Sequence, residues 1–244
     1  MLKQKHIAAK FLAVIPARGG SKTIPKKNIK HLCGRPLIEY TFDAAKASGL
    51  LGRVLVSTDD EQIARIARRN KIEVPFLRPA SLAKDDSPTL PVIQHAVVFL
   101  QDNENYRPDY VVILQPTSPL RTETHIDEAI QILIDTGADS VVSVTEVPHQ
   151  YNPCSIMKIE QGRLLSFMKG TEAYTRRQLK PVVYARNGAA IYALKYETLI
   201  KKNSLYGDDC RPYLMSKADS VDIDDSTDFE FAELILSRRQ ESQA

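Results

Sequence analysis

The chain of 244 residues has no tryptophan, only three cysteines and five histidines, and no apolar run long enough to cross a bilayer. Cys33, Cys154 and Cys210 are odd in number, far apart and without a C-x-x-C pair, a pattern of reduced thiols rather than of disulfides or a zinc site. His6, His31, His95, His125 and His149 form no ligand-spaced pair, so none stands out as a catalytic base or metal ligand. The short apolar run from Phe11 to Ile15 follows Lys3, Lys5 and Lys10, but Pro16 and Arg18 end it and no small-residue cleavage site follows. It is too short for a secretory signal, and a cytoplasmic start is expected.

Acid is also missing locally. From Met1 to Ile38 there are nine basic residues (Lys3, Lys5, Lys10, Arg18, Lys22, Lys26, Lys27, Lys30, Arg35) and no Asp or Glu. From Asp219 to Glu233 the sign reverses, with seven acids and no Lys or Arg. The net charge of +3 is therefore what remains after a large cancellation, and it argues against a general nucleic-acid coat while allowing a local anion site. With 43% hydrophobic and 26% charged residues the composition is that of a globular protein, and the length suits one large domain or one domain with an insertion.

Apolar runs alternate with helical patterns. Strands are expected at Phe11–Ile15, Arg53–Ser57, Glu73–Leu77, Tyr110–Leu114, Val141–Val144, Ala189–Ala193 and Ser220–Asp224. Helices are expected from Pro36 to a cap near Gly49, after a Thr58–Glu61 capping box, along Leu90, Ile93, Val97 and Leu100, along Ile126, Ala129, Ile130 and Leu133, around Tyr196–Lys202, and after a Thr227–Glu230 capping box with Phe231, Leu234 and Ile235 inward. Continuous apolar strands between helices predict an α/β fold with a mainly parallel sheet covered on both faces. Pro148, Pro153, Gly162 and Gly170 break this rhythm between Glu146 and about Lys180, a stretch long enough to predict an inserted subdomain or arm.

Ligands of open α/β sheets bind beyond the carboxyl ends of the strands, which directs attention to three segments. The loop from Ala17 to Asn28 holds Gly19, Gly20 and Ser21 among Arg18, Lys22 and Lys27. Its glycines allow close backbone approach and its cations supply charge, although neither the Rossmann nor the P-loop fingerprint is present. Composition alone fits a phosphate cradle or a solvated basic loop equally. Asp222-Ile-Asp224 places two carboxylates on one face of a strand, with Cα atoms about 7 Å apart, which suits Mg²⁺ or an ordinary polar strand end. Two prolines, Pro116 and Pro119, hold Gln115, Thr117 and Ser118 in a rigid loop fit either to read a base or sugar or to make a strand-to-helix turn.

In order along the chain, A-R-G-G-S-K-x-I-P-x-K-N-I, V-S-T-D, R-P-A-x-L-A, L-Q-P-T-S-P-L-R and D-I-D together resemble the N-acylneuraminate cytidylyltransferases (CMP-sialic acid synthetases), including members similar to CMP-legionaminic and CMP-pseudaminic acid synthetases. The resemblance covers about Phe11 to Leu236. It implies a Rossmann-like three-layer nucleotidyltransferase fold over residues 1–244, a dimerisation arm at about 146–182, and transfer of CMP from CTP to a nine-carbon 2-keto sugar acid with release of pyrophosphate. Carried over by motif, Arg18, Gly19, Gly20, Ser21, Lys22, Lys27 and Asn28 hold the CTP phosphates and ribose side, and Arg78, Ser87 and Thr89 line the cytosine pocket. Gln115, Thr117, Ser118 and Tyr192 face the sugar acid, which Arg176 approaches from the arm of a partner subunit. Asp222 and Asp224 hold Mg²⁺, or Mn²⁺ in its place, with Arg18, Lys22 and Asp224 carrying the catalysis. The implied partners are CTP, an acidic nine-carbon sugar and a second copy of the chain, with no nucleic acid and no membrane.

Two departures stand out. Thr23 stands where many members have Gly, and Asn187-Gly-Ala-Ala-Ile-Tyr192 carries one alanine more than the commoner N-G-A-I-Y. Rival assignments are a cytidylyltransferase for an eight-carbon 3-deoxy-octulosonate, whose first loop usually has Arg near the position of Lys22, a nucleotide-sugar glycosyltransferase, whose acidic pair usually lies mid-chain, and a non-catalytic nucleotide-binding protein.

Overall fold

The computed structural model describes residues 9–170 and 176–241. In chain order the elements are β1 (Phe11–Pro16), β2 (His31–Leu32), β3 (Arg35–Pro36), α1 (Leu37–Ala47), β4 (Arg53–Ser57), α2 (Glu61–Arg69), α3 (Thr89–Glu104), β5 (Tyr110–Ile113), α4 (Glu123–Thr136), β6 (Ser140–Glu146), β7 (Met157–Glu160), β8 (Arg163–Ser166), β9 (Tyr184–Arg186), β10 (Tyr192–Lys195), α5 (Tyr196–Ile200), β11 (Cys210–Leu214) and α6 (Ser226–Glu241).

The central sheet runs in the order β11-β6-β10-β5-β1-β4, with β9 added beside β6. β1 pairs in parallel with β4 and β5, and β11 with β6, whereas β10 runs antiparallel between β5 and β6. Alternation along β1 shows how the layers form. Phe11, Ala13 and Ile15 enter one core with Phe42 of α1 and Ile126, Ile130 and Leu133 of α4, while Leu12 and Val14 enter the opposite core with Ile93, Val97 and Leu100 of α3. The expected three-layer α/β architecture is present.

A third, smaller core joins the chain's two ends. Ile24, Leu32 and Leu37 pack with Val221, Ile223, Phe229, Ala232 and Leu236. Each large side chain buried there contributes about 1.5–3 kcal/mol, enough to hold the first loop and the Asp222–Asp224 segment side by side across nearly the whole sequence.

Several expectations are corrected. Glu73–Leu77 forms only two isolated bridges, Leu55 to Glu73 and Thr58 to Leu77, because Pro75 has no N–H to continue a ladder. Ser220–Asp224 is an extended loop rather than a strand: Ile223 donates one backbone hydrogen bond, to the Thr117 carbonyl at 2.8 Å, and no ladder follows. The strand expected at Ala189–Ala193 begins at Tyr192, because Gly188 (φ 67°) and Ala189 (φ 55°) form a left-handed turn before it. Strands β9 and β11 are additional; β11 carries Arg211 and Pro212, which an edge strand tolerates.

Helix caps also shift. Asp60, not Thr58, caps α2 by accepting from the Gln62 and Ile63 amides at 2.6 and 3.1 Å. At α6 the reciprocal pair is Asp225 with Asp228: each carboxylate accepts from the other's amide at 3.1 Å, and Thr227–Glu230 plays no such part. With that start, α6 buries Phe229, Ala232 and Leu236, whereas Phe231 and Leu234 face outward.

Within the interrupted stretch, β7 and β8 form an antiparallel hairpin that leaves Ile159, Leu164 and Phe167 exposed. The three cysteines are free, as expected. Among the described residues no helix is long and apolar enough to cross a membrane.

Candidate active site

A cleft of about 370 Å³ opens at the carboxyl ends of β1 and β5. Arg18, Gly20, Ser21, Lys22, Lys27, Asn28, Arg78, Ser87, Thr89, Gln115, Thr117, Asp222 and Asp224 line it, so most of the residues nominated from sequence, drawn from five separate segments, converge there. A larger hollow of about 1000 Å³ at the base of the arm, between residues such as His149, Lys180 and Met215, holds none of them. The concentration of cations and carboxylates places the candidate chemistry in the smaller cleft.

The first loop is braced by the segment after β4. Gly19 donates its amide to Asp59 at 3.0 Å, and a Cβ on Gly19 would lie 2.5 Å from an Asp60 carboxylate oxygen, so only glycine fits between loop and helix cap. Asn28 donates from Nδ2 to the Arg18 carbonyl at 2.9 Å and closes the loop on itself. Gly19 thus acts behind the cleft rather than in its lining.

The loop's cations do not stand free. Arg18 pairs with Asp85, and Lys22 Nζ lies 2.9 Å from the other oxygen of the same carboxylate, which these two partners hold below the usual carboxylate range. One carboxylate therefore engages both of these cations of the first loop. Lys27 faces the other wall: its Nζ donates to the Ile223 carbonyl at 2.6 Å and lies 3.7 Å from Asp224 Oδ1. Thr23 adds a second tie, its hydroxyl donating to the Asp224 carbonyl at 2.5 Å, which is what threonine supplies at a position where glycine has no side chain.

The acidic wall is strained electrostatically. Asp222 Oδ1 is buried without a hydrogen-bond partner. Burial is the main cause that pushes its carboxyl up and the Asp224 charge acts in the same direction, while the neighbouring Thr117 side chain and Lys27 oppose them. Gly188 abuts it so closely that a Cβ there would fall 1.9 Å from Asp222 Oδ2. An all-oxygen pair with an orphaned buried oxygen fits a hard divalent cation. Among the described residues no group of three or more His, Cys, Asp or Glu could hold a metal, so further ligands would come from phosphate and water.

Arg78 is buried, donates to the Ser57 hydroxyl at 3.1 Å and to the Ser57 carbonyl, and is pushed down to about 10 by burial. It therefore sits as a fixed donor beneath the cleft, close to Ser87 and Thr89, where α3 begins. Thr117 lines the cleft with a buried hydroxyl beside the Asp222 carboxylate. Ser118 is fully buried and outside the lining.

Besides Gly19 and Ser118, two further nominated residues are not brought into the cleft. Tyr192 is 6% exposed in the core around α3, its ring 5.9 Å from that of Tyr206 and its hydroxyl pushed up to about 12, chiefly by burial. The left-handed turn at Gly188 and Ala189, with the additional alanine, carries it past the site. Arg176 is exposed on the arm and does not line the cleft of its own chain. Sequence reasoning missed Asp85: the segment from Lys84 to Thr89 announces a turn and a helix start, but nothing local says that it folds back onto Arg18 and Lys22. The Thr122–His125 capping box was also missed, because histidine is an unusual acceptor at that position.

The model of the cytidylyltransferase family matches residues 12–242. The chain belongs to this family. This cytidylyltransferase is 35% identical to the CMP-N,N'-diacetyllegionaminic acid synthase of Legionella pneumophila, over 96% of this chain and 99% of that one. It is also 35% identical to the N-acylneuraminate cytidylyltransferase of Escherichia coli, over 94% of this chain but only 53% of that longer protein. In fold it is similar to the solved structure of CMP:2-keto-3-deoxy-manno-octonic acid synthetase complexed with CTP, with a TM-score of 0.70, 17% identity, and coverage of 95% of this chain and 100% of that one. The cytidylyltransferase is a nucleotidyltransferase enzyme that uses CTP, and a member of the family resembled by its motifs.

Proposed function

We propose that the cytidylyltransferase transfers CMP from CTP to the anomeric hydroxyl of a nine-carbon 2-keto sugar acid, sialic acid or a legionaminic or pseudaminic analogue, with release of pyrophosphate. The convergence of the basic loop and the Asp222–Asp224 pair on one cleft carries this reading. The two relatives at 35% identity, one named for a legionaminic and one for a neuraminic acid, support the nine-carbon class.

In this mechanism the anomeric oxygen forms a bond to the α-phosphorus and the bond from that phosphorus to the pyrophosphate oxygen breaks. Arg18 and Lys22, once released from Asp85, meet the charge that accumulates on the leaving pyrophosphate. Lys27 holds the Asp222–Asp224 loop in place through the Ile223 carbonyl. Asp222 and Asp224 are the residues that would hold Mg²⁺, which supplies charge neutralisation at the phosphates and lowers the pKa of the attacking hydroxyl when bound. The proton of the anomeric hydroxyl passes to solvent water as the new bond forms, so that no side-chain base is required. Arg78, Ser87 and Thr89 face the cytosine, and Gln115 with Thr117 faces the sugar acid. Arg176 reaches the acceptor from the partner subunit of a homodimer.

Pyrophosphate release, measured with CTP, UTP, ATP and GTP against a panel of eight- and nine-carbon 2-keto sugar acids, with and without Mg²⁺, tests the proposal. CTP with a nine-carbon acid is expected to be the productive pair. Turnover confined to eight-carbon acids, or none with any acid, overturns it. Asp224→Asn is expected to lower turnover about 100-fold or more with the fold intact; rates like the wild type at saturating Mg²⁺ would remove the metal assignment.

A further inference from the structure

Arg121 is a buried cation without a counter-ion among the described residues. It is 3% exposed, and the hydrogen-bonding partners of its guanidinium are three neutral oxygens: the Gln115 carbonyl at 3.1 Å, the Ala190 carbonyl at 2.8 Å and the Thr41 hydroxyl at 2.6 Å. Its Nε has no partner at all. Burying an uncompensated charge costs stability, and apolar residues of similar volume fill such a space more cheaply. A guanidinium suits this place by its geometry, since Nη1 of one planar fork reaches two carbonyls from two different segments while Nη2 reaches the Thr41 hydroxyl.

Those two segments meet at the cleft. Gln115 lines it, and the turn from Asn187 to Ala190 carries Gly188 against the Asp222 carboxylate. Gln115 also donates its amide to the Ala189 carbonyl at 3.3 Å, so both polar backbone groups of Gln115 are committed to this junction. The same Arg121 Nη1 contacts both carbonyls, and its Nη2 fixes the assembly to α1 through Thr41. The phosphate-facing loop, with Arg18 and Lys22, has no bond to it.

We propose that Arg121 is a positioning residue for the acceptor: it locks the Gln115 segment to the Asn187–Ala190 turn and so fixes the acceptor-facing side of the cleft independently of the CTP side. This rests on the placement of the sugar acid at Gln115. The wild-type acceptor panel tests that placement's premise first, because an enzyme that turns over no keto sugar acid fails there, before any Arg121 variant is compared.

Arg121→Lys keeps the charge and nearly the volume but loses the fork, and Arg121→Met loses both charge and fork. In steady-state kinetics Arg121→Lys is expected to raise the acceptor KM about tenfold, with the CTP KM and the CTP Kd by calorimetry within twofold of wild type. Arg121→Met is expected to show a larger change of the same kind. Hydrogen exchange in the CTP-bound protein is expected to speed up at both 115–121 and 187–191 in Arg121→Lys, with the loop at 18–28 unchanged. An unchanged acceptor KM in Arg121→Lys overturns the proposal. So does a parallel rise in the acceptor and CTP constants, which marks a merely structural arginine. If Arg121→Met does not fold, Arg121→Lys decides alone.

Discussion

Asp85 illustrates how one side chain sets the resting state of the site. It engages both Arg18 and Lys22, the cations expected to receive the triphosphate, so nucleotide binding must displace a carboxylate. The pairs are solvent-exposed and individually weak, which makes them easy to exchange. Asp85→Asn is therefore expected to lower the CTP Kd about threefold in calorimetry at low salt, with the gain fading as salt screens the cations. Tighter binding that is absent at low salt would show that Asp85 does not compete with phosphate. Gly188 acts at the same scale from behind the acidic wall. Gly188→Ala imposes a Cβ at positive φ and 1.9 Å from Asp222 Oδ2, so the carboxylate must move. Turnover is expected to fall about tenfold or more, and the Mg²⁺ concentration for half-maximal rate to rise, in assays across a Mg²⁺ titration.

Helix ends carry the next level of control. The N-terminus of α4 is closed by Thr122 and His125, whose Nδ1 accepts from the Thr122 amide at 3.1 Å, so the imidazole serves as a neutral acceptor. Burial is the main cause that lowers its pKa below 6.5; Asp219 and Glu128 oppose this, while Arg239 and Arg121 add to it. The sign follows directly. Between the depressed folded value and the ordinary one the unfolded chain binds more protons, so stability is full above the ordinary value and is lost as pH falls through the window. His125→Gln retains an acceptor that does not titrate, and a plot of Tm against pH is expected to fall less between about pH 7.5 and about pH 5.5 than in wild type. Parallel curves for the two proteins would assign the pH dependence to other groups.

At the scale of the whole molecule, the arm is the part that the chain does not cover for itself. An isolated two-stranded hairpin is marginally stable in water, yet β7 and β8 expose Ile159 and Leu164 directly across from each other at 76% and 64%. Exposed apolar surface of this kind marks an interaction site, and a second copy is the partner that the family resemblance implies. Ile159→Glu with Leu164→Lys replaces the apolar pair by an oppositely charged one that preserves the hairpin. Light scattering coupled to gel filtration is expected to give a dimer for wild type and a monomer for the double variant. A variant that remains dimeric places the interface elsewhere.

Legibility in the sequence followed the range of the forces involved. Local patterns were decisive where local physics is decisive: β1, β4, the buried face of α4 and the start of α1 follow from runs and spacings of apolar residues. The loop at 17–28 and the pair at Asp222 and Asp224 were visible as charge blocks, and their sequence order identified the family. Failures came where a distant segment overrides a local preference. Ser220–Asp224 alternates as a strand should, yet Ile223 is captured by the third core; Tyr192 is carried inward by a turn whose geometry no pattern announces; Asp85 reads as loop until the fold lays it across Arg18 and Lys22. The sequence by itself determined the α/β rhythm, most of the residues that line the cleft and the family. Only the tertiary structure decided which cation meets which carboxylate, that Lys27 and Thr23 bind the opposite wall, and that Arg121 ties the Gln115 segment to the turn at Ala190, because burial and Coulomb interactions depend on distance in space and not along the chain.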